Sequence, residues 1–233
     1  MRGKMESLMT KNVWLKIACT GAVVAAVFIS VSVSNSPRVK AESGGDSRVQ
    51  LGWATVPVPL NMKGKNPARV GLGSYFVNVA GDCNGCHSAG PPTEFAGGGN
   101  PYFNQPTTVN QATYLGGGRN FGPLIPGSYP IISRNLTPDA SGLPEGGNTF
   151  EQFVNIMRTG VDPDHRHPTC APGPQNINST CIPAPFDGNL LQIMPWPGYR
   201  NYSDNDLRAI YEYLSAVPCI QGGDAYEPAH RCG

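Results

Sequence analysis

The sequence predicts a mostly α-helical fold of few short helices joined by long Gly/Pro-rich loops. Three observations carry this. The 233 residues include 29 Gly and 23 Pro, and only 14% are charged; such a composition favours loops over a large sheet or a long bundle. Two segments in the second half carry a full helix signature of start, apolar face and stop. Between them and the N-terminal third, glycine triplets and prolines interrupt the chain. At this length, one domain with extended loops is the default.

The first element is not part of that domain. Arg2, Lys4, Lys11 and Lys16 precede an uncharged run from Ile17 to Val33, and Arg38-Val39-Lys40-Ala41 follows. Residues 1–41 read as an export signal with a basic start, an apolar middle and a small-residue cleavage site after Ala41. The apolar run is 17 residues long, near the lower limit of a membrane span, so an uncleaved anchor formed by residues 17–33 is the alternative. Either reading exports the rest of the chain, to the periplasm or its equivalent. Cys19 lies inside the run and is read with it.

Residues 42–66 read as a linker and extended lead-in, where Pro57 and Pro59 argue against helix. The domain proper is expected over 67–233. Pro67 suits a first helical position, and Ala68–Ala80 is expected to form a helix. Gly71 and Gly73 weaken it locally or let another helix cross closely; a frayed turn is the alternative.

Cys83-Asn84-Gly85-Cys86-His87 follows. Two cysteines three apart with histidine directly after is the attachment pattern of a c-type haem. Each thiol can add to one vinyl group on the same porphyrin edge, and the next residue is then forced over the iron. Cys83 and Cys86 are therefore expected to carry one covalent haem c, and His87 to supply an axial nitrogen. Three other readings compete. A zinc knuckle needs a second ligand pair at similar spacing, and no second C-x-x-C exists. A thioredoxin-type pair wants an adjoining βαβ pattern. A plain disulfide between Cys83 and Cys86 is the third.

Residues 88–132 hold the triplets Gly97–Gly99 and Gly116–Gly118 and seven prolines, and are expected to wrap the cofactor as irregular loops. They lack the strand–turn–helix context of a phosphate cradle. Asn135-Leu136-Thr137-Pro138-Asp139 reads as a short extended piece and a turn. A clear helix starts at Thr149, which forms a capping box with Gln152. Phe150, Phe153, Val154 and Met157 line one face, and Gly160 ends it. Met157 is read as core.

Residues 161–188 form a polar, Pro-rich excursion. Cys170 and Cys181 bracket it, and Cys219 and Cys232 bracket the tail. In an exported chain these four thiols permit three pairings, and the local one is expected, Cys170 with Cys181 and Cys219 with Cys232. The last helix starts at Ser203 with Asp206, buries Leu207, Ile210, Tyr211 and Leu214, and is stopped by Pro218.

Met194 is the expected second axial ligand. It sits in Gln192-Ile193-Met194-Pro195-Trp196-Pro197, off any helical stripe, and Pro195 biases it towards an extended backbone. The ordinary reading of a lone methionine is core filling. His165 or His167 is the fallback ligand, though these and His230 sit in polar loops and read as solvated. A His/Met pair fills both axial positions and raises the reduction potential. That suits outer-sphere transfer of single electrons.

Residues 1–41 hold six of the 17 Lys/Arg and one of the 16 Asp/Glu, leaving 11 basic and 15 acidic groups and a net charge of −4 beyond them. Nucleic acid is thereby an improbable partner.

The chain resembles class I cytochrome c, and is most similar to the exported monohaem cytochromes of bacterial dehydrogenase and respiratory chains. The resemblance is carried by Tyr75–Ala80 leading into Gly81-Asp82-Cys83-Asn84-Gly85-Cys86-His87, by Asn135–Asp139 and by Phe150–Gly160. Met194-Pro195-Trp196 and Asp206–Leu214 complete it. It spans residues 68–218 in family order. It implies the cytochrome c fold around a covalent haem, His87 and Met194 on the iron, and a helix crossing of Gly73 with Tyr211 or Tyr213. It also implies an electron carrier, not an enzyme in itself, that serves exported redox proteins such as a dehydrogenase or a terminal oxidase. The membrane would be touched only through an uncleaved N-terminal segment. The interval from His87 to Met194 is long for a minimal member, and the haem motif occurs once. The competing functions are a haem enzyme or gas sensor with a displaceable or absent sixth ligand, and a structural metal-binding module.

Overall fold

Two helices crossing at a glycine set the frame of the domain. The computed structural model describes residues 46–90, 93–164, 167–222 and 231–233. The expected export segment with Cys19, and also His165 and His230, lie outside the described residues.

Helix α2, Pro67–Ser74, starts where the Asn66 side chain accepts hydrogen bonds from the backbone N–H of Ala68 and Arg69, at 2.9 and 3.2 Å. These satisfy two of the donors that a helix start leaves open. It runs on as a π-helical stretch, Tyr75–Ala80. The last helix, α7, spans Asp204–Leu214 and opens on the Ser203/Asp206 capping box. The two pack at Gly73, where a Cβ would lie 2.0 Å from the Ala209 carbonyl oxygen and 2.7 Å from Tyr213 Cβ. Tyr213 is thus the aromatic at the crossing. Tyr211 instead donates its hydroxyl to the Asn148 carbonyl at 2.9 Å. Beneath the crossing, the hydroxyls of Tyr213 and Tyr114 lie 2.7 Å apart, and Asn78 bonds to both. Buried polar groups require such partners.

Residues 47–54 depart from the expected extended lead-in. They form helix α1, Ser47–Ala54, capped by Asp46. Pro57 and Pro59 lie beyond its end and do not oppose it. The pattern was hidden because Gly52 stands in the middle of a short stretch. That glycine is needed for packing: a Cβ there would lie 1.8 Å from the Gly71 carbonyl oxygen. The Ser74 hydroxyl donates to the Gly52 carbonyl at 2.7 Å. Gly71 and Gly73 therefore serve two contacts on opposite neighbours, α1 and α7.

The short helix α3, Cys83–His87, follows the π-helical stretch. The long loop region adds a two-stranded antiparallel sheet, β1 (Asn120–Pro123) and β2 (Pro130–Ile132). A single turn, α4, covers Pro144–Gly147, with Glu145 and Gly146 in the left-handed region. Helix α5, Phe150–Thr159, has the expected Thr149/Gln152 box and ends at Gly160, φ 74°. One more turn, α6, covers Trp196–Tyr199. The core gathers Val70 and Val77, Tyr114 and Leu115, Phe153 and Met157, and Leu207, Tyr213 and Leu214. Disulfides join Cys170 to Cys181 and Cys219 to Cys232, the local pairing of the three. Among the described residues no helix is long and apolar enough to cross a membrane.

The crossing makes a direct prediction. Gly73→Ala forces a methyl group into the Ala209 backbone, and α2 and α7 must separate. Overpacking of this kind costs about 3 kcal/mol or more, to be read as a lowered midpoint in denaturant unfolding.

Candidate functional site

Helix α3 is held from two sides. The Asn84 side chain accepts the Leu115 N–H at 2.9 Å, and the His87 carbonyl accepts the Gly117 N–H at 2.7 Å. Gly117 has φ +69°, and a Cβ there would lie 2.5 Å from the Arg134 carbonyl carbon. Only glycine lets the two backbones come this close. The next residue, Gly118, donates to the Ser133 carbonyl at 2.8 Å. The close approach brings the Arg134 carbonyl to 2.7 Å from His87 Nδ1. A carbonyl can only accept, so Nδ1 carries the proton and Nε2 keeps its lone pair. Burial pushes the His87 pKa down; the bond to the Arg134 carbonyl works against this, and the Arg134 charge adds to it. The imidazole is therefore neutral and able to ligate at neutral pH.

Cys83 and Cys86 are both unpaired thiols. The competing disulfide reading is thus not what the fold shows. Burial, with the Asp82 charge second, pushes the Cys83 thiol up to about 12. A redox-active C-x-x-C needs the opposite shift, because the thiolate is the reactive form. Among the described residues no three His, Cys, Asp or Glu side chains converge as a metal site, so no closed zinc site is assembled there.

Cys83, Cys86 and His87 open onto a cleft. Its walls are mainly apolar. Phe76 and Val77 come from the π-helical stretch, Phe121 and Ile131 from the sheet, Phe153, Ile156 and Met157 from α5, and Ile210 and Leu214 from α7. A further wall is Leu190–Pro195, which contains Met194. This segment is tied to the end of α5. The Leu191 N–H donates to the Gly160 carbonyl at 2.8 Å, and the Trp196 indole donates to the Leu191 carbonyl at 3.1 Å. Gly160 makes room for that indole, since a Cβ there would lie 2.4 Å from Trp196 Cε2. His87 and Met194, 107 positions apart in the chain, thus line one cleft.

One sequence expectation changes. His167 is not a solvated loop residue; it lines the cleft and stacks on Tyr129 with ring centroids 3.8 Å apart. Met157 is core, as expected, but it also faces the cleft.

A charged cluster on the same cleft escaped the sequence reading. Arg134 is ion-paired with buried Asp162, lies 3.4 Å from Asp164, and donates to the Glu145 backbone carbonyl. Glu145 itself is 4% exposed, and its carboxylate accepts from Asn148 Nδ2 at 3.4 Å. Arg231, also buried, donates to the Thr137 carbonyl. No local spacing reveals the partners at 145, 162 and 231.

No family model matches the chain. The gluconate 2-dehydrogenase cytochrome c subunit of Pantoea cypripedii is 30% identical over 150 residues, covering 64% of this chain and 23% of that protein. A nicotinate dehydrogenase subunit of Pseudomonas putida is 29% identical over 153 residues, covering 64% of this chain and 9% of that protein. The match thus spans less than a quarter of either relative. No solved structure matches.

The buried cluster carries two expectations. Arg134→Ala removes the cation paired with buried Asp162, and breaking a buried pair from one side costs about 3–5 kcal/mol, measurable by chemical unfolding. Burial pushes the Glu145 carboxyl up to about 7, against the pull of Arg134. A folded value above the ordinary one means that the folded state holds this proton more tightly. Its contribution to stability is present below the ordinary carboxyl range and is lost as pH rises through about 7. Glu145→Gln removes that part of the pH dependence in unfolding curves compared across the acid-to-neutral range.

Proposed function

We propose that the chain is a single-electron carrier of the cytochrome c type, holding one covalent haem c in the cleft. The observation that carries this is the state of the Cys83-Asn84-Gly85-Cys86-His87 turn: both thiols are unpaired, and the adjoining imidazole is fixed with Nε2 free. The donor set and the walls fit the group. Cys83 and Cys86 would form the thioethers, and His87 would give the proximal nitrogen. Met194 would give the sulfur on the other axial side, from a segment anchored to α5 and α6. The mainly apolar lining suits a large hydrophobic ring. When bound, the haem supplies a reversible one-electron couple.

The residues of the chain do the rest. The Arg134 carbonyl orients the His87 ring and raises its basicity. The apolar walls from α5, α7 and Leu190–Pro195 would keep water from most of the ring and so favour its less charged, reduced state. Cys86 is exposed, so the attachment edge would lie at the surface, where electrons would pass. With His87 and Met194 both bound to the iron, no coordination site would be left open for a substrate.

The comparisons support the coarser part of this reading, since the relatives are named as subunits of dehydrogenases and one of them as a cytochrome c subunit. We take the partner to be an exported dehydrogenase, or another exported redox protein such as a terminal oxidase. The chain would be non-catalytic on its own. Residues 1–41 would direct its export, with or without cleavage.

The test is a pyridine haemochrome assay with intact mass on the exported protein, which should show one haem per chain. Met194→Ala should lower the reduction potential and convert low-spin ferric iron to a high-spin form that binds carbon monoxide when reduced. An unchanged ferric spectrum in Met194→Ala would assign the sixth position to another group, with His167 and Met157 next in the cleft.

A further inference from the structure

Glu145 lines the cleft but has no part in attaching or ligating anything there. It is almost fully buried, on a left-handed turn with φ 54°. Among the described residues, the charged and polar groups that interact with it come from several elements. Arg134 precedes it in the chain, Asn148 follows it, and Asp162 comes from the segment after α5. Arg231 comes from the tail, Tyr211 from α7 and Cys83 from α3. Asp162, the other buried carboxylate on the cleft, is engaged by Arg134 in a direct ion pair. Glu145 touches Arg134 through its backbone carbonyl, and its own carboxylate is met by the neutral Asn148 amide.

We propose that the carrier is also a proton carrier: Glu145 takes one proton from water when an electron enters the cleft and returns it when the electron leaves. This rests on the reading that the cleft holds a one-electron centre. The charge balance is simple. One electron arrives from the reduced partner and adds one negative charge between apolar walls. The Glu145 carboxylate binds one proton and forms one O–H bond, so the net charge of the cleft is unchanged. No other bond is made or broken. Opposite changes in charge attract strongly in a poorly polarisable interior, which links the two events. Burial has already raised this carboxyl into the neutral range, so a modest further pull suffices. The Asp162 carboxylate cannot serve in the same way without breaking its bond to Arg134.

The test uses the full exported chain with its haem, counted first by pyridine haemochrome. Spectroelectrochemistry then follows the reduction potential across the neutral pH range. The potential should fall as pH rises, approaching a tenfold change in the oxidised-to-reduced ratio per pH unit, or about 59 mV for one electron. Glu145→Gln should abolish the slope and hold the potential at the high value of the acid limit. Redox-difference infrared spectra of the unaltered protein supply a second reading. A protonated-carboxyl stretch should appear on reduction and shift in heavy water. A coloured protein whose potential is flat, or whose slope survives in Glu145→Gln, overturns the inference and leaves the carrier reading standing. Absence of the carboxyl band on reduction overturns it equally. A colourless protein overturns both.

Discussion

The hydrogen bond from His87 Nδ1 to the Arg134 carbonyl is the constraint on which the site depends. It sets the tautomer and the rotation of the imidazole together. It also requires a backbone carbonyl, not a side chain, to stand beside helix α3. That carbonyl can stand there only because Gly117 lets its own backbone pass against Arg134. The position of Gly117 is in turn fixed from α3 itself, through the His87 carbonyl. The ring and its orienting group are thus locked in one short circuit, with no long side chain whose rotamers would have to be ordered.

Another wall of the cleft is built by a different device. Helix α5 ends at Gly160, and the chain leaves on a long excursion before returning as Leu190–Pro195. The return is pinned at the point of departure by the Leu191–Gly160 bond and by Trp196 lying over Gly160. The excursion can therefore be long without loosening the cleft, because its ends are clamped. Loop closure grows more costly only slowly with length, so the extra residues are tolerated once the ends meet. Cys170 and Cys181 close the excursion within itself, and the Tyr129 N–H, from the sheet region, donates to the Cys181 carbonyl.

Much of the helical frame was legible in the sequence. Thr149/Gln152 and Ser203/Asp206 marked helix starts that the structure has, and Gly160 marked a true end, because caps are local chemistry. The local disulfides were readable for a related reason: short loops bring their ends together cheaply. Helix α1 was not legible, since Gly52 and the nearby prolines lower its local signal, and its stability comes from packing against Gly71 and Ser74. The glycine triplet at 116–118 looked like loop filler; its real role depends on Arg134, 17 residues away from Gly117. At the site, the Cys83–His87 pattern was plain, as one turn of chain brings those groups together. The Arg134–Asp162–Glu145 cluster was invisible, because its members come from three separate segments, and His167 was misjudged because stacking on Tyr129 leaves no mark on its neighbours.

The six cysteines of the domain meet opposite ends in one fold. Four are joined as disulfides, whereas Cys83 and Cys86 are left out of those bridges. Before folding, the reactivity of that pair is that of any other cysteine. The chain therefore poses a sorting problem during its biogenesis. The pair before His87 has to be kept out of reach of the oxidant that closes the other two bridges, by being engaged first or by being reduced again afterwards.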